Sequence, residues 1–354
     1  MTSRLTKLRQ ALSEEGLEAI LISQPENRRY VSGFTGSAGY LIISSTINIL
    51  AVDFRYTEQA RGQASDYEVI EIKGSIADWL LPMILDLGIA NLCFEGTDIS
   101  FATYSQLVEQ IKKHDKSFQF VHNVGLIENL RAQKEPQEID RLIRASALAD
   151  EAFTHIASEI HEGQTEKQVA WEMEKFLREK GCEQLPFPII VASGPNSALP
   201  HASPSDRVIQ SGEPIIIDFG ARVEGYCSDC TRTICLNMAD DIFTKHYDLV
   251  LGAQLAAIAT LAPGMIGEEA DQLARTVIVQ GQHGEAFGHG LGHGIGLVAH
   301  EKPRLAPKSQ DTLKENMVFT VEPGIYHPGW GGIRIEDMVI LQEGKAKTLT
   351  RAKK

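Results

Sequence analysis

Four acidic side chains stand where the chain otherwise reads as apolar strand. Asp218 follows three isoleucines in "PIIIDFG", and Asp229 lies in the strand-like run "GYCSDCTRTICL". Glu322 closes a strand in "MVFTVEPG" that Pro323 terminates, and Glu336 falls in the middle of "GGIRIEDMVIL". Asp and Glu are depleted in strands and are almost never fully buried unless paired. An ionised carboxylate buried alone is strongly penalised, and four brought together would also repel one another. The chain supplies no matching set of Lys or Arg nearby. Any one of these acids could be a strand-edge residue with its head in water, but that reading fits all four poorly. Two divalent cations would balance the four negative charges, and oxygen-dominated ligation suits Mn, Co, Fe or Zn. The "ARVEG" between Asp218 and Asp229 is hairpin-like, which makes the two acids cross-strand neighbours.

A nitrogen ligand can come from "EAFGHGLGHGIGLVAHE", residues 285–301, which carries His289, His293 and His300. His289 and His293 are four apart, the spacing of a helical zinc site. However, Gly288, Gly290, Gly292, Gly294 and Gly296 alternate through the segment. Each glycine costs about 1 kcal/mol against alanine inside a helix. The pattern H-E-x-x-H is also absent. The segment is therefore extended chain or loop, whose glycines admit a close backbone approach or unusual dihedrals.

The elements that must position these groups fall into two regions. Residues 3–15 form an amphipathic helix closed by Gly16, and "EAILIS" follows as a buried strand. "GYLIISSTINILAV" gives two strands around a turn. "IADWLLPMILDLG" and "YSQLVEQIKKH" are helical, each followed by a strand, "NLCFEG" and "FQFVH". This alternation indicates an α/β layer domain over residues 1–130. The polar "ENLRAQKEP" marks the boundary, and Pro136 suits the first turn of a new helix. In residues 131–354, helices near 137–160 and 166–180 precede strands near 186–192, 214–220 and 224–236. Helices near 243–262 and 267–280 then precede strands near 287–300, 316–323 and 332–342. The repeated order implies two similar halves facing each other across a site.

The 354 residues are 43% hydrophobic and 23% charged, with a formal charge of −13, which is ordinary for a soluble globular protein and argues against a nucleic-acid or anionic-membrane partner. The start of the chain shows no signal-peptide pattern, and no apolar run is long enough to span a membrane. An odd count of five cysteines in so large a chain argues against a disulfide framework. The C-x-x-C of Cys227 and Cys230 has no second pair, so these read as packing residues in a reducing cytoplasm.

The ordered set "IIIDFG", "GYCSDCTRT", "GHGIGL", "HE", "TVEPGIY" and "GIRIED" resembles the Xaa-Pro peptidase family, prolidases and aminopeptidases P. "RRYVSGFTGSAGYLIIS" and "DFRYTEQA" look like the small domain of its bacterial members. The resemblance implies an α/β (α+β) chain, with a creatinase-like N-terminal domain followed by a pita-bread catalytic domain of pseudo-two-fold related halves. It implies Asp218, Asp229, His293, Glu322 and Glu336 as ligands of two divalent metal ions, with Mn expected and Co, Zn or Fe as alternatives. It also implies substrate-side roles for His201, His289 and His300, with Arg334 near the site and Glu322 as proton shuttle. Thr231, of the same strand parity as Asp229, is expected to support the ligands. Arg334 or Arg304 is a candidate partner for a terminal carboxylate. The expected substrate is a peptide with proline in second position, cleaved by a cytoplasmic homodimer acting as an Xaa-Pro dipeptidase. An aminopeptidase P, a creatinase-type hydrolase and a non-catalytic binding protein of the same fold are the rival readings. His114, His122, His155, His161, His246 and His283 lack motif context and read as surface or structural; His327 lies close after Glu322.

Overall fold

The computed structural model describes residues 3–114 and 118–354 of the chain, which form two compact units, Met1–Arg131 and Ala132–Lys354. In the first unit, a six-stranded mixed sheet carries Ala19–Ile22 near its centre. That strand pairs antiparallel with Tyr40–Ser44 and parallel with Asn91–Glu95. Leu21, Ile42, Ala51 and Leu92 of the sheet pack against Trp79, Leu80 and Ile84 of the helix Ile76–Asp86 and Leu107 of Phe101–His114. The opening helix, Ser3–Glu14, is followed by Gly16 at φ +66°, and the Leu17 amide reaches back to the Leu12 carbonyl, a glycine-dependent stop. Pro25–Ser32, Thr57–Gln63 and Leu126–Ala132 are short helices that the hydrophobic pattern did not disclose. The side chain of His114 lies outside those described.

The second unit repeats one order twice. The helices Pro136–Glu159 and Glu166–Glu179 precede an antiparallel sheet of Ile190–Ser193, Pro214–Phe219 and Cys230–Cys235. Their core joins Phe153, Ile156 and Met173 to Ile215, Ile217 and Phe219. The helices Asp241–Thr260 and Gly267–Gln280 precede a five-stranded sheet ordered Glu301–Leu305, Gly292–Gly294, Val318–Val321, Asp337–Gln342 and Lys345–Thr348. Here Val250, Ala253, Ala274 and Ile278 meet Phe319, Val321 and Val339. Side-chain chemistry starts these helices: Pro136 stands in the first turn, Thr165 caps with Gln168, and Asp240 Oδ1 accepts from the Phe243 amide at 2.6 Å.

Several expected strands are shorter than their apolar patterns. The run 287–300 contains only Gly292–Gly294 as strand. The run 224–236 divides into Tyr226–Cys227, which pairs with Arg222–Val223, and Cys230–Cys235. Glu224 at φ +48° and Gly225 at φ +83° make the tight two-residue turn between the first two, as a right-twisted hairpin needs. The run 332–342 divides into Gly331–Arg334, which pairs with Gly324–His327, and Asp337–Gln342. The polar "ENLRAQKEP" is also not bare linker. Arg131 is buried on Asn27, and Lys134 is buried against Glu301 at 2.6 Å.

Candidate metal centre

Ten of the residues singled out above line one cavity of about 540 Å³ in the second unit: Asp218, Asp229, His293, Glu322, Glu336, His201, His289, His300, Arg304 and Arg334. Of the four acids, Asp218 alone lies inside a strand. Asp229 immediately precedes Cys230–Cys235, Glu322 immediately follows Val318–Val321, and Glu336 occupies the break between Gly331–Arg334 and Asp337–Gln342. The placement of Asp229 within a strand and of Glu336 mid-strand is thus corrected. Register explains the first: Thr231, not Asp229, lies opposite Asp218, and Asp229 is the same-face residue one pleat further on. The second has a reason in pairing. At Glu336 the backbone leaves its own sheet and its amide donates to the Thr231 carbonyl at 3.1 Å, so the carboxylate turns between the two halves.

The groups converge closely. Ligand atoms of Asp229, His293 and Glu336 lie within 4.8 Å of one another. His293 Nε2 is 3.3 Å from Glu322 Oε1 and 3.7 Å from Asp229 Oδ2. His293 Nδ1 donates to the Gly294 carbonyl at 3.1 Å, which turns Nε2 to the acids. Burial disfavours a charged ring, but the hydrogen bond and charge of Glu322 outweigh it and raise His293, so Nε2 donates to Glu322 here and is the nitrogen an ion would take. Thr231 Oγ1 donates to Glu336 Oε2 at 2.7 Å and accepts from Arg334 Nε at 3.1 Å. Asp218 Oδ2 accepts from Arg334 Nη2 at 2.7 Å. Asp218 Oδ1 and Glu336 Oε1 are buried without a hydrogen-bond partner.

Burial, reinforced by the charge of neighbouring acids, pushes the Asp229 and Glu336 carboxyls well above their ordinary range, and burial raises Asp218 as well. Glu322 goes the other way. Burial would raise it, but the hydrogen bond and charge of His293 prevail and bring it down to about 2.

Gly292 and Gly294 owe their place here to contact rather than dihedral. A Cβ on Gly292 would strike the Thr320 carbonyl, and one on Gly294 would strike that of Lys302. Both neighbours belong to chain flanking the short strand that carries His293, so the imidazole sits deep between two backbones.

His289 has both ring nitrogens engaged. Nδ1 is 2.8 Å from the Gly290 carbonyl and Nε2 is 2.9 Å from Tyr326 Oη. Burial lowers its pKa, so the ring is neutral with its proton on Nδ1, and Tyr326 donates to Nε2 while accepting from Arg334 Nη1 at 2.9 Å. Arg334 also reaches the Pro200 carbonyl, which leaves its fork committed to the protein. By contrast, Arg304 is among the residues lining the cavity, is exposed and makes no ion pair among the described residues. His300 is exposed, its ring centroid 4.0 Å from that of His293. Loss of water on the face packed against its neighbours, with the charge of His293, holds His300 below its ordinary value although the residue is otherwise exposed. Tyr326 was visible in "TVEPGIY" without a role; its part follows from hairpin register, which sequence spacing does not carry.

All five cysteines are free, and burial pushes the Cys227 thiol up to about 11. No helix of the described residues is long and apolar enough to cross a membrane.

Known proteins place this geometry. Residues 140–343 match metallopeptidase family M24, and residues 4–133 match the creatinase/prolidase N-terminal domain. The solved Xaa-Pro dipeptidase of Bacillus anthracis is 42% identical, with a TM-score of 0.95 over 99% of this chain and 98% of that one. The X-Pro aminopeptidase of Thermotoga maritima is 37% identical, with a TM-score of 0.89 over 98% and 97%. The Xaa-Pro dipeptidase of Pyrococcus furiosus is 37% identical over 100% of this chain and 99% of its own. The chain belongs to metallopeptidase family M24, with a creatinase-type N-terminal domain ahead of its pita-bread domain. Divalent metal chemistry comes with that membership.

Proposed function

We propose that the chain is an Xaa-Pro dipeptidase that holds two divalent ions on Asp218, Asp229, His293, Glu322 and Glu336. The observation that carries this reading is the pair of buried carboxylate oxygens without protein partners, Asp218 Oδ1 and Glu336 Oε1, in a cluster of four acids that Arg334 and His293 only partly neutralise. Such a donor set, mostly oxygen with one imidazole, fits hard to borderline dications, of which we expect Mn. Bound there, the ions supply Lewis acidity and lower the pKa of water.

The remaining work falls to the protein. Glu322 carries a proton towards the proline nitrogen, which leaves poorly unprotonated. His300 hydrogen-bonds the carbonyl oxygen as charge develops on it, a role closed to His289 because both its nitrogens are engaged. His201 stands on the proline side, where Phe187, Pro188 and Pro204 supply apolar wall. Arg304, which has no ion pair among the described residues, meets the substrate's terminal carboxylate. That contact favours a substrate ending at proline, whereas the relative named an aminopeptidase supports a second reading in which longer peptides are taken. We expect the working form to be a cytoplasmic homodimer.

Hydrolysis of Ala-Pro and Ala-Pro-Ala by Mn-loaded protein tests the proposal. Ala-Pro should be preferred. Arg304→Ala should lower kcat/KM for Ala-Pro by about 10–100-fold, the worth of a charged hydrogen bond, while Ala-Pro-Ala changes little. Cleavage of neither peptide overturns the assignment. Preference for the tripeptide, unaltered by the substitution, selects the aminopeptidase reading.

A further inference from the structure

Outside the cavity a second group of ligand atoms converges. His246 lies on the helix Asp241–Thr260, His283 follows the helix Gly267–Gln280, and His327 ends the strand Gly324–His327. Their ring nitrogens include a set of three, one from each residue, within 4.8 Å of one another. His283 Nδ1 and His327 Nε2 are 3.0 Å apart, and His246 Nδ1 is buried with no hydrogen-bond partner. Tyr326 lines the cavity, and strand alternation sends its neighbour His327 to the opposite face.

We propose that His246, His283 and His327 form a third metal site, selective for an imidazole-preferring dication such as Zn²⁺, Co²⁺, Ni²⁺ or Cu²⁺. The donor set decides the class: three neutral nitrogens and no carboxylate suit these ions and suit Mn²⁺, Mg²⁺ or Ca²⁺ poorly. Zn–N bonds of roughly 2.0–2.1 Å place tetrahedral ligand nitrogens about 3.3 Å apart, a spacing the cluster approaches by small side-chain rotations. His246 and His327 are held towards the neutral, lone-pair-bearing form. Burial, with the charges of His283 and His327, holds His246 down at about 4, and burial lowers His327 too.

The surroundings are stiff. His327 opens the turn "HPGW", with Gly329 at φ +87° and the Trp330 amide returning to the His327 carbonyl at 3.0 Å. Trp330 packs edge-on against His246, centroids 4.6 Å apart. An ion here pins the hairpin strand that presents Tyr326 to the helix pair behind it, and three protein ligands leave a fourth position for water or an inhibitor.

The test is zinc and manganese stoichiometry of the full-length protein, stripped with chelator, reloaded and dialysed, for wild type, His246→Asn and His283→Gln. Circular dichroism establishes that each is folded. His283 is on a connecting loop, so His283→Gln decides the matter if His246→Asn does not fold. We expect each variant to bind one zinc fewer than wild type, with manganese unchanged, and to lose part of the zinc-induced rise in Tm. Cu²⁺ bound to wild type in the presence of excess Mn²⁺ should show nitrogen hyperfine structure that His283→Gln reduces. Equal zinc counts in wild type and a folded variant overturn the site.

Discussion

Asp218 and Glu336 show how much of the centre was written in residue types. An acid after three isoleucines is conspicuous because burial is costly, so the carboxylates could be picked out one by one. The groups that hold them could not. Tyr326 links His289 to Arg334, and Arg334 holds Asp218, a chain of contacts set by which residue faces which across Gly324–His327 and Gly331–Arg334. Tyr326→Phe removes the donor to the half-buried His289 and one acceptor for the buried Arg334. We expect it to lower metal affinity or kcat by about 10–100-fold, as loss of a group supporting ligands does. It should also cost roughly 1–3 kcal/mol for the polar atoms left unpaired. Metal titration and denaturant unfolding measure the two effects. Wild-type values in both would mean that Tyr326 supports nothing.

The elements were legible in order but not in extent. Helix pairs and strands follow the predicted sequence, since apolar period is local. Pro323 disclosed the strand end at Glu322, but the breaks at Asp229 and Glu336 depend on pairing between distant strands, which apolar runs such as "GIRIEDMVIL" conceal. Arg232 and Asp337 make that pairing hold. Arg232 lies in Cys230–Cys235 and Asp337 opens Asp337–Gln342; their side chains, each 1% exposed, meet at 2.7 Å. Arg232 also donates to the carbonyls of Glu336 and Ala352, tying the strand next to Asp229 to the residue that bears the opposing carboxylate. Burial pushes the Asp337 carboxyl up, but Arg232 and Lys354 outweigh it and hold it below its ordinary 3.8. A depressed folded value means stability present above about pH 3.8 and lost as pH falls below it. Asp337→Asn leaves Arg232 buried without its counter-charge and should cost about 3–5 kcal/mol at pH 7. Because the acid is then gone, the penalty should shrink below pH 3.8. Urea unfolding of both proteins at pH 7 and pH 3 measures this, and an equal gap at the two pH values would refute it.

At the scale of the molecule, the balance of charge decides how stability responds to metal. The chain carries a formal charge of −13, and its acid cluster is drawn together in the second unit with few cations of its own. Without ions, Asp218, Asp229 and Glu336 hold protons in the folded state that the unfolded chain releases above its ordinary values of 3.8 and 4.5. The folded form then binds more protons, so stability falls as pH rises above about 4.5. Glu95 in the first unit, raised by burial to about 7, adds a slope of the same sign with or without metal. The difference between metal-free and loaded protein therefore isolates the cluster. Metal binds the deprotonated ligands, so loading should cancel or reverse its share of the slope. Each ion should add about 2.7 kcal/mol once its concentration is 100 times its Kd. Chelator-treated and Mn-loaded protein, unfolded in urea between pH 5 and pH 8, should give midpoints that diverge steadily with pH, the metal-free one falling. Parallel curves would show that the carboxylates are balanced by the protein alone, and the case for a dinuclear centre would go with them.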